Sequence, residues 1–392
     1  MTTEELLRVA QLMRSASREN AGVFAAASGL SRKLAKQPHL LLKVFAGEDE
    51  HSAADLAEWN GLAVHTSRIL PPAVFSYTPG LIKAVQDFHP HIVHQHGLWT
   101  YPSFVSRYLA RRNGARIIIS IHGMLTTWAL QHRTRRKRVA FCLYERKNLE
   151  SADCIHALTS AEMSEIRAMD IKTPICVIRN GVKTNSLLRN QREFQRDTQS
   201  RTLLYVGRLH KIKGLVELLE GWALYRAHAK GEAWRLRIVG WGEAEFTEIL
   251  KAVVRNLGID STVEFAGPKF GDELLGEYSR ADGFVLTSHS EAMPMAVLEA
   301  WASELPVIMT QGCGLPEGLV SGAAIKTSIT PRDIAAAMAT LTALPQRKRE
   351  EMGRAGRALV EERYSWQTSA QAFADVYDWL AGRGAKPECV HS

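Results

Sequence analysis

The run Tyr205-Val-Gly-Arg-Leu-His-Lys-Ile-Lys-Gly-Leu215 sets the cations Arg208 and Lys213, with Lys211 between them, between two glycines, Gly207 and Gly214. The apolar residues before Gly207 read as a strand, and Gly214 reads as the opening of a helix. A helix N-terminus at a strand end offers free N–H groups and a positive dipole end, which favour a phosphate. Arg can fork onto phosphate oxygens, and Lys adds a point charge. No G-K-[ST] follows at the Walker spacing, so this is not a loop of that kind. The plainer reading is a surface turn with solvated cations.

A second run, Ser288-His-Ser-Glu-Ala-Met-Pro-Met-Ala-Val-Leu-Glu299, carries two carboxylates eight positions apart. Glu291 falls in a loop. Glu299 falls on a helix whose first turn tolerates Pro294. Carboxylates accept hydrogen bonds from vicinal hydroxyls, so two of them beside a phosphate site suit a sugar and a ribose. A single Glu is more often a cap or a solvated charge. Met293, Met295 and Leu298 read most simply as core or cleft lining.

Histidines form the third group. His122 precedes Gly123, a residue that permits close backbone approach. A lone loop histidine is usually a hydrogen-bonder. His94 and His96 suggest a metal pair, but they are expected on opposite faces of a strand end. No carboxylate completes a site, so no metal is expected. The five cysteines are scattered, with no C-x-x-C, which suggests a reducing compartment and neither disulfides nor zinc.

Something must hold these groups. Apolar runs at 40–46, 92–95, 116–121, 154–158 and 175–178 read as buried parallel strands, as do 203–206, 236–239, 263–266, 284–287 and 307–309. No strand is assigned before Leu40, because Leu6–Met13 carries charge. Amphipathic stretches lie between the runs, at Leu215–His228, Ala244–Asn256 and Asp333–Ala343 among others. Strand-then-helix repetition means α/β architecture with parallel sheets. At 392 residues the chain has room for two domains, each able to bury a core.

The boundaries read as an N-terminal domain over 1–183, a polar linker over 184–201 and a C-terminal domain over 202–360. A helix over 361–382 is expected to return to the N-terminal domain, and 383–392 to be a disordered tail. The net charge is +8, and Tyr101–Lys147 holds eleven Lys or Arg against Glu145 alone. Such a face serves an anionic partner or is merely solvated. The N-terminus does not read as a secretory signal, and no run approaches a membrane span.

Taken together, Gly207-Arg208…Lys213-Gly214 and Glu291-x7-Glu299 resemble the retaining glycosyltransferases of family 4, with their GT-B architecture. The resemblance runs through Ile238-Val-Gly-Trp-Gly-Glu243, Val263-Glu-Phe-Ala-Gly267 and Ala281-Asp-Gly-Phe-Val-Leu-Thr-Ser288. In the first half, His94-Gln-His-Gly-Leu-Trp99, Ser120-Ile-His-Gly-Met-Leu125 and Ile178-Arg-Asn-Gly-Val182 are similar to one branch of that family. So is Gln311-Gly-Cys-Gly-Leu-Pro-Glu-Gly318. That branch commonly serves bacterial surface polysaccharide assembly, of the exopolysaccharide and lipopolysaccharide kind.

The resemblance implies two Rossmann-like α/β domains facing a cleft. Arg208 and Lys213 would hold the donor diphosphate beside Gly207. Glu291 would meet the donor sugar, and Glu299 the ribose. Backbone N–H groups around Met293 to Ala296 would lie near sugar and phosphate, with Pro294 and Met295 among the donor-binding residues. His122 would sit beside the anomeric carbon, with Glu291 as its catalytic counterpart. Gly22, His96 and Trp99 would line the acceptor side. Where the family carries a paired-glycine loop this chain has Gly22 alone, and Ala292 stands where Gly or a bulkier residue is common.

The expected function is metal-independent retaining transfer of a hexose from a UDP- or GDP-sugar to a lipid-linked saccharide. No cofactor beyond that donor is expected. The expected location is the cytoplasm, peripheral on the inner face of the membrane, and nucleic acid is not an expected partner. Alternatives are a nucleotide-sugar epimerase on the same fold and a non-catalytic module that grips an anionic ligand. A phosphorylase would need a pyridoxal lysine, which has no evident place. Gly240-Trp-Gly242 lacks the third glycine of a dinucleotide fingerprint.

Overall fold

The computed structural model describes residues 5–71, 75–112, 114–125, 139–182, 200–228 and 234–392. The chain divides into two compact units, Met1–Gly181 with Trp366–Ser392, and Val182–Ser365.

In the first unit the strands are β1 (Leu7–Ser15), β2 (Leu40–Glu48), β3 (Ala63–Arg68), β4 (Ile92–His96), β5 (Arg116–Ser120), β6 (Cys154–Ala157) and β7 (Ile175–Val177). They pair in parallel in the order β7-β6-β5-β4-β1-β2-β3. β4 and β6 are buried along their whole length, as a sheet covered on both faces requires. One face packs on helices Gly80–Phe88 and Tyr101–Arg112 through Val85, Val105 and Leu109. The other packs on Ala21–Leu34 and on the last helix, Trp366–Leu380, through Leu30, Phe373 and Tyr377.

The second unit repeats the scheme. Its strands are β8 (Arg201–Val206), β9 (Trp234–Val239), β10 (Val263–Gly267), β11 (Gly283–Leu286), β12 (Val307–Thr310) and β13 (Ala324–Thr327). They run parallel in the order β10-β9-β8-β11-β12-β13. Trp222, Trp301, Tyr205 and Tyr278 are fully buried among them.

Several expectations need correction. A strand does precede Leu40: β1 lies at the centre of its sheet. Its charges are tolerated because Arg8 reaches out to the His89 carbonyl, at 2.7 Å, and Arg14 to the Ser76 hydroxyl, at 3.0 Å. The edge strands β3 and β13 were not anticipated, since short polar edges lack an apolar run. Residues 383–392 are not a disordered tail. Val390–His391 forms β14, antiparallel on β7, and covers that sheet's open edge. The helix expected at 361–382 begins at Trp366 instead. A separate helix, Gln346–Arg363, ends before it, and the break at Tyr364 is pinned by that residue's hydroxyl on Glu317. The linker segment 184–199 lies outside the described residues, and Arg201 already belongs to β8.

Candidate active site

Numbered within its own unit, the second sheet has strand order 3-2-1-4-5-6. In such sheets ligands bind at the carboxyl ends of the strands where the order reverses, here between β8 and β11. The two sequence runs meet at that point. The His289 N–H donates to the Ile212 carbonyl at 2.8 Å, and the Glu291 N–H to the Gly312 carbonyl at 2.8 Å. The Thr287 hydroxyl reaches the carbonyls of Lys213, at 3.1 Å, and Gly214, at 3.0 Å. Gly214 has φ +62, and a Cβ there would lie 2.3 Å from the Thr287 carbonyl oxygen. Only glycine fits both demands.

Side chains converge on this scaffold. Lys213 Nζ sits 2.5 Å from Glu291 Oε1, and the Ser288 hydroxyl donates to the same oxygen at 2.5 Å. Arg208 is exposed, and its side chain makes no hydrogen bond or ion pair among the described residues. The fully buried Tyr205 donates its hydroxyl to the Arg208 carbonyl at 3.2 Å, which anchors the loop; burial pushes its phenol pKa well up. Glu299 lies on helix Met295–Ala302, where its Oε2 accepts from the Tyr278 hydroxyl at 2.7 Å. Gly207 stays close-packed: a Cβ on the facing Gly240 would come within 1.9 Å of the Gly207 oxygen.

The anion cradle expected across Met293 to Ala296 is narrower than the sequence implied. Pro294 has no N–H, and the Met295 N–H is taken by the Met293 carbonyl at 3.0 Å. Met293 and Pro294 are buried. Gly22 does not occupy a loop either, because the segment after β1 turns early and Gly22 already lies within helix Ala21–Leu34.

The first unit has the same reversal between β1 and β4. His96 ends β4, and His122 follows β5 in a left-handed turn, with φ 49 for His122 and φ 75 for Gly123. A non-glycine residue held there costs on the order of 1 kcal/mol, which the surroundings must offset. Glu162 does so by clamping the turn. Its carboxylate accepts from the Gly123 N–H at 2.6 Å and from the Leu158 N–H at 2.6 Å. Burial raises its pKa to about 7.

His94 and His96 share one face, contrary to expectation, because side chains two apart on a strand point the same way. Their rings stack at 4.1 Å, and His96 stacks on His122 at 5.4 Å. Both nitrogens of His94 and of His96 are engaged in hydrogen bonds. His96 is 2% exposed and lies behind His122, so it does not line an acceptor surface. Burial keeps these rings neutral: His122 is lowered to about 3, His156 to about 4, and His94 and His96 well below the usual range. Trp99, with φ 71, donates its N–H to the buried Glu145 at 2.8 Å, and its carbonyl accepts from the Tyr144 hydroxyl at 2.9 Å.

The sequence reading passed over Gln11, Ser120, His156, Tyr377 and Glu162. Each of the first three is a polar residue inside an apolar strand run, which is itself a signal, since buried polar groups need partners. Of the basic segment, Trp128, Arg133, Arg135, Arg136, Lys137 and Arg138 lie outside the described residues.

Residues 188–359 match the Glycosyl transferases group 1 model, and residues 21–181 match the Glycosyl transferase 4-like domain. The chain is a glycosyltransferase. A curated relative of this glycosyltransferase is a D-inositol 3-phosphate glycosyltransferase of Kineococcus radiotolerans, 27% identical over 81% of this chain and 80% of the relative. Among solved structures, sucrose-phosphate synthase from Thermosynechococcus elongatus superposes with TM-score 0.76 at 18% identity, covering 96% of this chain and 99% of that one. The Anabaena protein HepE, solved with UDP-glucose, gives TM-score 0.75 at 18% identity over 95% and 99%. Both likenesses establish the fold, two parallel-sheet α/β domains of the GT-B kind.

Proposed function

We propose that this glycosyltransferase moves a hexose from a UDP- or GDP-linked donor, with retention of configuration, to a lipid-linked saccharide in surface polysaccharide assembly. The observation that carries the donor half is the Lys213–Glu291 pair at the reversal between β8 and β11, with Arg208 exposed beside it. Cleaving the bond to the diphosphate builds negative charge on the leaving group. Arg208 and Lys213 stabilise it, so no metal ion is required. An arriving diphosphate draws Lys213 from Glu291, and the freed carboxylate then accepts from sugar hydroxyls. Glu299 takes the ribose. In the first unit, His122 is a sugar-facing group that takes a polar group of a bound sugar. The UDP-glucose complex of HepE supports the choice of donor class.

A donor panel tests this. UDP- and GDP-sugars are screened by thermal shift, then by donor consumption with EDTA or Mn²⁺ present. One donor at 100 times its Kd should add about 2.7 kcal/mol of stability. Turnover should survive EDTA. No shift with any donor, or activity that depends wholly on Mn²⁺, refutes the reading.

The acceptor half rests on the resemblance of the first-half motifs and on the basic run Tyr101–Lys147. No helix among the described residues is long and apolar enough to cross a membrane. Basic side chains gain about 1 kcal/mol each near an anionic leaflet. Sedimentation with anionic vesicles, lost at high salt, is the expected result; equal pelleting with neutral vesicles counts against it.

A further inference from the structure

Behind His122 a line of buried polar groups crosses the first unit. Its far end is the carbonyl of Ile178, which can only accept, so the His156 Nε2 bonded to it at 2.7 Å must carry the proton. His156 is neutral, because burial lowers its pKa to about 4. Its Nδ1 is therefore a lone pair, and the Ser120 hydroxyl donates to it at 2.6 Å. Ser120 has then used its proton, so it accepts from His94 Nε2–H at 2.6 Å. His94 Nδ1 is in turn a lone pair and receives the Tyr377 hydroxyl at 2.6 Å. The Tyr377 oxygen can now only accept, which it does from the Gln11 amide NH2 at 3.2 Å.

That orients the amide. Gln11 Oε1 faces His96 Nε2, which must donate to it. His96 Nδ1 is then a lone pair, and His122 Nε2 donates to it at 3.1 Å. Each link follows from the one before it, given neutral rings and the donor inventory of each side chain. All the members except His122 are buried, so any reversal would strand a donor against a donor.

We propose that Gln11, His94, His96, Ser120, His156 and Tyr377 are positioning residues whose hydrogen bonds run one way and hold His122 with its proton on Nε2. His122 Nδ1 is then an acceptor. It makes no hydrogen bond among the described residues and awaits a group with a proton to give. A sugar hydroxyl fits this nitrogen; a carboxylate, as on a uronic acid, does not. The substrate consequence rests on the reading of His122 as a sugar-facing group under Proposed function. The tautomer does not.

The test reads the tautomer directly. In ¹⁵N-histidine-labelled full-length protein at neutral pH, two-bond proton–nitrogen correlations should show His122 protonated on Nε2 alone. Tyr377→Phe and Ser120→Ala each cut the line at a different point while leaving the space nearly filled. Both should turn the His122 pattern into a mixture and lower kcat by about tenfold or more, as loss of an orienting partner does elsewhere, with little change in donor KM. Phe373→Leu, on the same helix as Tyr377 but outside the line, should lower the melting temperature and leave the His122 pattern alone. Protonation of His122 on Nδ1 in the wild type overturns the proposal, as does an unchanged pattern in both cut variants. A mixed tautomer with wild-type kcat overturns the positioning role. If no nucleotide sugar is ever turned over, the donor reading fails, and the nitrogen pattern still decides the tautomer.

Discussion

The two units reverse their strand order in the same way and use the reversal differently. At the β8–β11 point the groups are charged: Lys213, Glu291 and the exposed Arg208. At the β1–β4 point they are neutral, buried and hydrogen-bonded, with Gln11, His94 and His96 all 2% exposed or less. The first arrangement suits a ligand that brings charge of its own. The second suits a ligand that must be oriented without being attracted. One topology thus supports an electrostatic site and a directional one, and the side chains alone decide which.

The comparison breaks most sharply at the cations. Lys213→Ala and Arg208→Ala should each lower kcat/KM by about a hundredfold, or roughly 2.7 kcal/mol, with folding retained. Glu299→Ala should instead raise donor KM, and Glu291→Ala should chiefly lower turnover. Steady-state kinetics on purified variants decide this; wild-type values for all four place the donor elsewhere.

A smaller effect sharpens the neutral side. His94, His96 and His156 have folded pKa values below the unfolded value of about 6.5, so the unfolded chain binds more protons. Their stabilising contribution is full above that value and is lost as pH falls toward the folded values. The loss approaches about 1.4 kcal/mol per fully buried group per pH unit inside that window. Glu162 works the other way: its pKa is raised to about 7, so its stabilisation is present below about 4.5 and lost as pH rises through 7. Burial raises Glu145 in the same sense, and the three rings, with His122 beside them, outweigh the two carboxyls. Denaturant melts at pH 7 and pH 5.5 should show lower stability at the acid value, and a flat profile would contradict the neutral assignment.

Much of this was legible in advance. The ten apolar runs, most of them rich in Val and Ile, all became strands, because a strand buried on both faces needs a continuous apolar signal. Lys213 and Glu291 could be placed at one ligand site because the glycines and the loop-helix spacing mark the strand ends, but their direct ion pair was not legible. The rest was hidden for physical reasons. β3 and β13 sit at sheet edges, where half a strand faces water. β14 has two residues and no pattern, and exists because β7 offers it an edge. Gln11 and Tyr377 are 366 positions apart, and nothing local announces that they touch.

The last helix belongs to the first unit although 184 residues of the second, Val182–Ser365, intervene. On the ribosome this inverts the order of completion. The second unit is one unbroken stretch and has all its residues once Ser365 has emerged. The first waits for Phe373, Val376 and Tyr377, which fill the core between its sheet and helix Ala21–Leu34. The half of the enzyme that is made first is the half that is finished last.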